Sequence, residues 1–312
     1  MSTVAIYVLL SIGCALAFAV AAALQQFEAA KQPADQELKI GLLGRLLKKP
    51  IWLAGIGAQV VGYVMQLVAL GLGPIVVVEP IRALQIAFAL PLGIRFTHQT
   101  ATRRDWLSAL LITAGIAVFI IVADPRGGET TPGWYKWVIA TAVVVGVGVG
   151  CVVAGKFTTG GARSALWGTA AGIFFGFQIA LLKRVTITFT QGGDIWNNIL
   201  DMLTEPFVYG AIIFVITGFL LVQSAFQAGS LENTIASYTA LDVIVSVMLG
   251  VYLFEEQLNH EDWRIAVIIL SFIAIIVGIV MLARSKALAI GAPPPEDGTA
   301  EKAAAKDSVP RT

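Results

Sequence analysis

The chain has 312 residues, of which 57% are hydrophobic and only 13% are charged. Soluble domains carry about 25% charged residues, so this composition excludes a soluble enzyme and a disordered chain. The net charge of +1 offers no excess of positive charge for a nucleic-acid backbone. We therefore expect a polytopic protein whose surroundings are the lipid bilayer and which has no nucleic-acid partner.

Apolar runs along the chain predict an all-α membrane protein, because a spanning helix needs about 20 mostly apolar residues. No basic residue precedes the first run, so we expect a retained helix and not a cleaved signal peptide. Residues 1–286 then form one transmembrane domain, and residues 287–312, rich in Ala, Pro and charge, form a disordered tail. The nine predicted spans are 4–24, 51–71, 74–95, 105–123, 134–155, 163–182, 206–226, 232–253 and 264–283.

Basic residues flanking the spans predict the orientation, since they are more frequent in cytoplasmic segments. Twelve Lys and Arg residues fall on one side and five on the other, the five being Arg126, Lys136, Lys183, Arg184 and Arg264. This favours an outside N-terminus and a cytoplasmic C-terminus in the plasma or inner membrane. Segment 36–49 reads either as a cytoplasmic interfacial helix or as an ordered loop.

Glycines at small-xxx-small spacing predict close helix packing. They occur at Gly146 and Gly150 in the fifth span and at Gly168, Gly172 and Gly176 in the sixth. The fifth and sixth spans are therefore expected to form a tight pair.

The sequence contains few residues in patterns typical of metal binding or catalysis. His98 and His260 fall in loops on opposite sides of the predicted membrane, so they cannot share a metal. Cys14 and Cys151 lie in apolar runs and read as small buried hydrophobic residues. No HExxH motif, nucleophile–base pair or phosphate-binding loop is present, so we expect neither an enzyme nor an ATP-driven pump, and no cofactor or metal site.

An internal repeat emerges when the chain is compared with itself at an offset of 157 residues. Residues 51–123, the first copy, then fall without gaps within residues 206–283, the second copy. The offset covers five spans, an odd number, so the two copies run in opposite directions. Inverted repeats are typical of alternating-access transporters, whose site lies near the midplane between the copies. The aligned pairs include Gln66 with Gln223, Gly93 with Gly250, Asp105 with Asp262 and Trp106 with Trp263.

Two segments, 66–80 and 223–258, resemble the EamA-like branch of the drug/metabolite transporter superfamily. In that family a helix finishes near a Gly-Glu-x-Leu signature. The second copy reads Glu255-Glu256-Gln257-Leu258, with Glu255 in place of Gly, and the first copy lacks the Glu. The nine-span count is more similar to the NIPA-type magnesium transporter relatives. The resemblance implies a transporter and says little about its substrate.

Three ionisable residues, Glu79, Arg82 and Asp242, fall inside predicted spans, where charge is costly and usually faces the bundle interior. Glu79 and Arg82 are three residues apart on one helix face, which fits either an internal ion pair or a substrate or proton site. Asp242 lies near the midplane without a charged neighbour in sequence. It fits either proton coupling or a carboxyl group bonded to nearby hydroxyls or to Arg82.

Further polar side chains share these helices. Tyr238 and Thr239 lie on the arc of Asp242, and the repeat places Gln85 at the depth of Asp242. We expect the central helices, 74–95 and 232–253, to face the interior. The predicted site is a cavity for substrate or coupling ion, lined by Glu79, Arg82, Asp242, Tyr238, Thr239, Gln66, Gln223 and Gln85.

Three functions compete at this stage. The first is a secondary, ion-coupled transporter of a small metabolite or drug-like solute. The second is a magnesium or other divalent-cation transporter, which the small number of membrane carboxylates and the proximity of Arg82 to Glu79 disfavour. The third is a non-transporting membrane scaffold, which the repeat and the buried charges disfavour. The sequence is compatible with a homo-oligomer and does not specify one.

Overall fold

A computed structural model describes residues 2–29, 48–97, 101–125, 128, 131–191, 195–228, 231–259 and 261–284. These residues are almost entirely helical and include no β-strand. Most of the segment predicted as an interfacial helix, 36–49, lies outside the described residues. The predicted disordered tail, 287–312, also lies outside them, as do His98 and His260.

Eleven helices make up the described part of the chain. In chain order they are α1 (Thr3–Ala29), α2 (Pro50–Leu72), α3 (Ile75–Arg82), α4 (Leu84–Thr97), α5 (Arg103–Ala123), α6 (Trp134–Lys156), α7 (Gly160–Gln191), α8 (Ile195–Thr204), α9 (Pro206–Ala228), α10 (Leu231–Phe254) and α11 (Asp262–Ala283).

Eight stretches of the described residues are long and apolar enough to cross a bilayer, with α3 and α4 together forming one of them as Ile75–Leu92. This indicates a multi-pass membrane protein, as the composition predicts. Helix α9 corresponds to the seventh predicted span, but its apolar stretch, Pro206–Val222, is shorter than the other eight. Helix α8 has no counterpart among the predicted spans, since its ten residues are too few to cross.

Two helix boundaries differ from the prediction. The predicted span 74–95 is two helices that meet at Ala83, one turn after Pro80, which cannot donate a backbone hydrogen bond. The predicted span 163–182 is too short, because α7 continues to Gln191. Lys183 therefore lies within a helix, where it is 8% exposed, and its predicted placement in a segment between spans is wrong. A hydropathy analysis ends the predicted span at such a lysine, because the sequence does not show the ion-pair partner that allows the lysine to be buried.

Small residues set which helices approach closely. Gly55 of α2 packs on Gln25 of α1, and Gly62 packs on the ring of Phe18, so α1 and α2 run antiparallel. Gly168 of α7 packs on the backbone at Thr234 of α10 and Gly176 on that at Asp242, so α7 and α10 run parallel. Close backbone approach of this kind is how helices associate where lipid removes the hydrophobic driving force.

The fifth and sixth spans pack against each other as predicted, but the residues at their contact are not the predicted ones. Helices α6 and α7 do pack, but through Gly148 against Phe174 and through Gly155 against Trp167. A side chain at Gly146 or Gly150 would meet only open space. The glycine stripe of α7 faces α10 instead of α6.

The helices predicted to face the interior are among the most buried. In the α3–α4 span 61% of residues are buried, and in α10 56%, against 22–33% in α1, α2, α5, α6 and α11. Helix α7 is equally central, with 67% buried. Every residue of α3, from Ile75 to Arg82, is buried. Three central elements, the α3–α4 span, α7 and α10, therefore hold the polar groups described next.

Candidate functional site: a polar cavity and two buried ion clusters

Arg82 joins two carboxylates across the bundle centre. Its Nε donates to Glu79 Oε2 at 2.6 Å, within α3. Its Nη2 donates to Asp242 Oδ2 on α10. Gln66 of α2 donates from Nε2 to the other Glu79 oxygen, Oε1, at 2.9 Å. The consecutive helices α2 and α3 thus meet α10 around one cation, with Gln66 reaching it through Glu79. We call Gln66, Glu79, Arg82 and Asp242 the Arg82 cluster.

The Arg82 cluster is buried and incompletely paired. Glu79 is 0% exposed, Asp242 6% and Arg82 8%. Both Glu79 oxygens accept hydrogen bonds, whereas Asp242 Oδ1 is buried and has no hydrogen-bond partner among the described residues. One guanidinium therefore faces two carboxyl groups, one of which keeps an unused acceptor oxygen. Buried polar atoms are normally paired, so this exception is informative.

A cavity of about 360 Å³ lies against the Arg82 cluster. Of the predicted site residues, Gln66, Arg82, Gln85, Tyr238 and Asp242 line it. Glu79 lies behind this wall, and Thr239 is buried at 3% exposure without lining the cavity. The side chain of Gln223 lies outside the described residues. The structure thus brings six predicted residues to one region, with Glu79 acting through Arg82.

More polar side chains line the cavity than the predicted site includes. Gln59, Tyr63 and Gln178 contribute to the wall. Gln25 does so too, and donates from Nε2 to Gln59 Oε1 at 2.8 Å. Gln25 is missing from the prediction because it follows the predicted end of the first span by one residue. Gln25 and Glu28 lie one turn apart on a helix that continues to Ala29. That spacing of polar residues could have extended the predicted span far enough to include Gln25 in the site.

The cavity belongs to one end of the bundle. Its wall uses the last part of α1 around Gln25, the first part of α2 at Gln59, α4 at Ala89 and the start of α10 at Ile235. Because α1 and α2 run antiparallel, these positions lie at the same end. We call this the cavity end, and the end where α2 finishes and α3 begins the opposite end.

A second ion cluster, which the sequence interpretation missed, occupies the opposite end. Glu256, in the segment that follows α10, is 2% exposed as a residue and 0% at its side chain. Its carboxylate accepts from the backbone N–H of Ile75 at 2.7 Å and of Val76 at 2.9 Å, the first residues of α3. Lys183 of α7 donates to the same carboxylate, and to the carbonyl of Gly73 at 3.3 Å. We call Gly73, Ile75, Val76, Lys183 and Glu256 the Glu256 cluster.

The Glu256 cluster packs closely at the opposite end, beside a pocket of about 430 Å³ whose lining includes Glu256 and Leu258. The Lys183 ammonium lies 5.0 Å from the ring centre of Phe254, and Trp137 of α6 packs edge-on against that ring. A side-chain carbon at Gly250 would come within 2.6 Å of the Glu256 carboxylate. Only glycine leaves room for the carboxylate there. The carboxylate, the lysine and the aromatic rings thus bind α3, α7 and α10 together.

The backbone at Glu255, the residue before Glu256, accounts for the first position of the Gly-Glu-x-Leu signature. Glu255 has a backbone φ of 50°, in the left-handed region that favours glycine. The transporter family that the chain resembles usually has Gly at this position, and Glu255 adopts the conformation that such a Gly would permit. Its side chain is exposed and pairs with Lys136 of α6. The sharp turn at Glu255 directs the Glu256 side chain back into the bundle.

Metal ligands do not cluster in the part of the chain that the structure describes. Within those ranges, no group of three or more His, Cys, Asp or Glu side chains is arranged to hold an ion. The cavity itself is lined by one carboxylate, Asp242, one guanidinium, Arg82, and several amide and phenol groups.

Comparison with known proteins gives a full-length relative without an assigned activity. The chain is 26% identical over 284 residues to an uncharacterized protein of Corynebacterium glutamicum, covering 91% of this chain and 96% of that protein. No family model matches the chain, and no solved structure matches it. The functional interpretation therefore depends on the site.

Proposed function

We propose that this protein is a secondary transporter that carries a small organic solute across the membrane by alternating access. The observation that carries the proposal is the polar cavity of about 360 Å³ inside an apolar bundle, with charged side chains in its wall. Binding pockets for small molecules span about 300–1,000 Å³. Ionisable groups within a membrane domain are costly, and they often mark substrate and ion pathways.

The helix boundaries support the inverted repeat, an arrangement found in many alternating-access transporters. Adding 157 to the bounds of α1 gives 160–186, close to α7, and adding it to those of α2 gives 207–229, close to α9. The same addition to the bounds of the α3–α4 span, 75–97, gives 232–254, which matches α10. Helix α5 becomes 260–280 and overlies α11. We propose nine spans in all, two inverted copies of four with α6 between them.

Packing details recur between the proposed copies. Phe18 and Phe175 are 157 residues apart, and each ring lies on a glycine of the following antiparallel helix, Gly62 and Gly218 respectively. The stripe Gly168, Gly172 and Gly176 of α7 corresponds to Ser11, Ala15 and Ala19 of α1, all of which are 0–2% exposed. Small residues thus occupy equivalent positions on α1 and α7.

The two ends of the bundle support a mechanism. The cavity belongs to the cavity end, while the Glu256 cluster and its aromatic neighbours close the opposite end. Alternating access would open the opposite end by separating Glu256 from the start of α3 and from Lys183. The bonds from Glu256 to Ile75 and Val76 connect the proposed copies, because α3 belongs to the first copy and Glu256 to the second.

Proton coupling is part of this proposal, and Asp242 is its candidate. Among the described residues it is the carboxyl group of the cavity wall with an unused acceptor oxygen. The charged groups that face it are Arg82, which donates to Oδ2, and Glu79 behind Arg82. Membership of the drug/metabolite transporter superfamily, and a cytoplasmic C-terminus in the cell membrane, belong to the same proposal.

Magnesium transport is less well supported. Mg²⁺ prefers octahedral oxygen coordination, and the described part of the cavity wall offers one carboxylate, already paired with Arg82. The scaffold alternative does not account for a polar cavity at the bundle centre.

Transport by the purified protein in liposomes tests the proposal. We expect counterflow of at least one member of a panel of small organic solutes, and none of Mg²⁺, Mn²⁺ or Co²⁺. An imposed pH gradient should change uptake by wild-type protein and by the matched control Asp262→Asn, whose carboxyl group is exposed at the start of α11. It should not change uptake by Asp242→Asn. Divalent-ion flux without organic counterflow would overturn the proposal.

A further inference from the structure

The unpaired oxygen in the Arg82 cluster indicates what the cavity binds. Arg82 carries one positive charge between two carboxyl groups, Glu79 and Asp242. Both oxygens of Glu79 and one of Asp242 accept hydrogen bonds from Gln66 or Arg82. Asp242 Oδ1 alone lacks a donor among the described residues, at a residue 6% exposed that lines the cavity. Buried carboxylate oxygens normally accept a hydrogen bond or face a cation, and a ligand in the cavity can supply that partner.

The same charge arrangement disfavours an anionic ligand. Arg82 is the one cation in the described cavity wall, and its Nε and Nη2 already donate to carboxylates. An anion would have to bind beside two carboxylates, Asp242 and Glu79, whose charge the single Arg82 guanidinium does not fully balance. A divalent metal ion is disfavoured as well, since the described residues bring no three carboxylate, His or Cys groups together.

Aromatic rings of the cavity wall complement a ligand cation. Phe18 packs against Tyr63 with 5.0 Å between ring centres, and Phe175 packs against Tyr238 at 6.1 Å. All four residues line the cavity. Ring faces attract organic cations as well as their apolar parts. The amides of Gln25, Gln59, Gln66, Gln85 and Gln178 provide donors and acceptors for the remaining polar groups.

We infer that the transported solute is an organic monocation, an amine or quaternary ammonium compound small enough for the cavity, whose positive centre pairs with the Asp242 carboxylate in the cavity wall. The aromatic side chains contact its apolar body. This inference names the substrate class of the site in the proposed function and depends on that proposal for transport. The binding step can be measured separately from transport.

Equilibrium binding to the purified full-length protein in lipid nanodiscs tests the inference. Three probes of matched size differ in charge: 2-phenylethylammonium, neutral 2-phenylethanol and anionic phenylacetate. A fourth, phenyltrimethylammonium, carries a permanent charge. We expect both cations to bind at least about tenfold more tightly than the neutral and anionic probes, a difference that one charge pair readily supplies. Equal or tighter binding of phenylacetate or of 2-phenylethanol would overturn the inference without any variant.

Two variants locate the bound charge. Asp242→Asn keeps the shape of the side chain and removes its charge, so we expect cation binding to weaken by about tenfold or more. The matched control Asp262→Asn should bind both cations like wild type. Undiminished cation binding in a folded Asp242→Asn would overturn the inference. Failure of both cations to bind wild type would also overturn it, and would leave Asp242 a role in proton exchange only. If Asp242→Asn does not fold, the probe comparison in wild type decides.

Transport of the same probes separates the two claims. Cation binding without counterflow in liposomes would reject the proposed transport function and leave the binding inference intact. Counterflow of neutral or anionic solutes, without cation binding, would reject the inference and leave transport intact.

Discussion

Two buried ion clusters differ in how completely they are paired. In the Glu256 cluster the carboxylate accepts two backbone N–H groups and the Lys183 ammonium, and it is fully enclosed. In the Arg82 cluster one acceptor oxygen, Asp242 Oδ1, is unpaired and the neighbouring space is a cavity. Burial alone therefore does not mark a binding site. The difference indicates that the first cluster holds helices together and that the second is available to a ligand.

Removing the cation of the Glu256 cluster should produce the largest loss of stability. Lys183→Met leaves the Glu256 carboxylate buried without its ammonium partner. We expect a loss of about 3–5 kcal/mol in the free energy of unfolding, the usual cost of breaking a buried pair. Denaturation of the protein in detergent, followed by tryptophan fluorescence, measures it. The double variant with Glu256→Gln should recover part of the loss.

The chain contains a matched control for this experiment. Lys136 pairs with the exposed carboxylate of Glu255, next to Glu256 in sequence. Because the Glu255 carboxylate is 60% exposed and remains solvated without its partner, Lys136→Met should cost about 1 kcal/mol, well below the loss for Lys183→Met. Equal effects of Lys183→Met and Lys136→Met would contradict the structural role of the Glu256 cluster.

Removing the cation of the Arg82 cluster should cost less stability and more function. Arg82→Gln leaves Glu79 and Asp242 without a shared cation, but water from the adjoining cavity can take the place of part of the guanidinium. We expect a loss of about 3 kcal/mol, the lower end of the range for buried pairs. Adding Glu79→Gln should recover most of that stability.

Transport distinguishes the two roles of Arg82. If Arg82 orients Asp242 for the solute, the stable double variant should not regain uptake in liposomes. Full recovery of uptake together with stability would show that the Arg82–Glu79 pair is only structural.

The smallest effect concerns the turn that positions Glu256. Glu255→Gly relieves a left-handed backbone conformation that costs a non-glycine residue about 1–2 kcal/mol, and it loses an exposed pair worth about 0–1 kcal/mol. We expect a net gain of up to about 1 kcal/mol in the same unfolding measurement. The comparison variant Glu261→Gly, at a φ of −62°, relieves no such strain and should not gain. A clear loss in Glu255→Gly would contradict this account of the turn.

Hydropathy predicts much of this fold because long apolar runs leave few alternatives to spanning helices. The bounds of α2, α5, α6, α10 and α11 lie within about two residues of the predicted spans. The break at Ala83 was missed, although Pro80 within the span is a recognisable signal. The continuation of α7 was missed because a lysine ordinarily ends an apolar run.

The candidate site divides along similar lines. Costly charges within spans identified Glu79, Arg82 and Asp242, and the repeat added Gln66 and Gln85. No local pattern could pair Lys183 with Glu256, 73 residues away, or show that Asp242 Oδ1 lacks a donor. Such contacts depend on which helices meet, and the sequence of one chain does not state this.

Sided labelling of a cavity cysteine tests most directly whether one cluster borders an accessible cavity while the other seals it. Gln85→Cys, in a background with Cys14→Ala and Cys151→Ala, places a thiol in the cavity wall. In proteoliposomes of uniform orientation, a membrane-impermeant thiol reagent should label it mainly from the cavity end. Adding Lys183→Met and Glu256→Gln should make labelling from the opposite end several times faster. Labelling that starts equally fast from both ends, or that is unchanged by those two substitutions, would contradict the account.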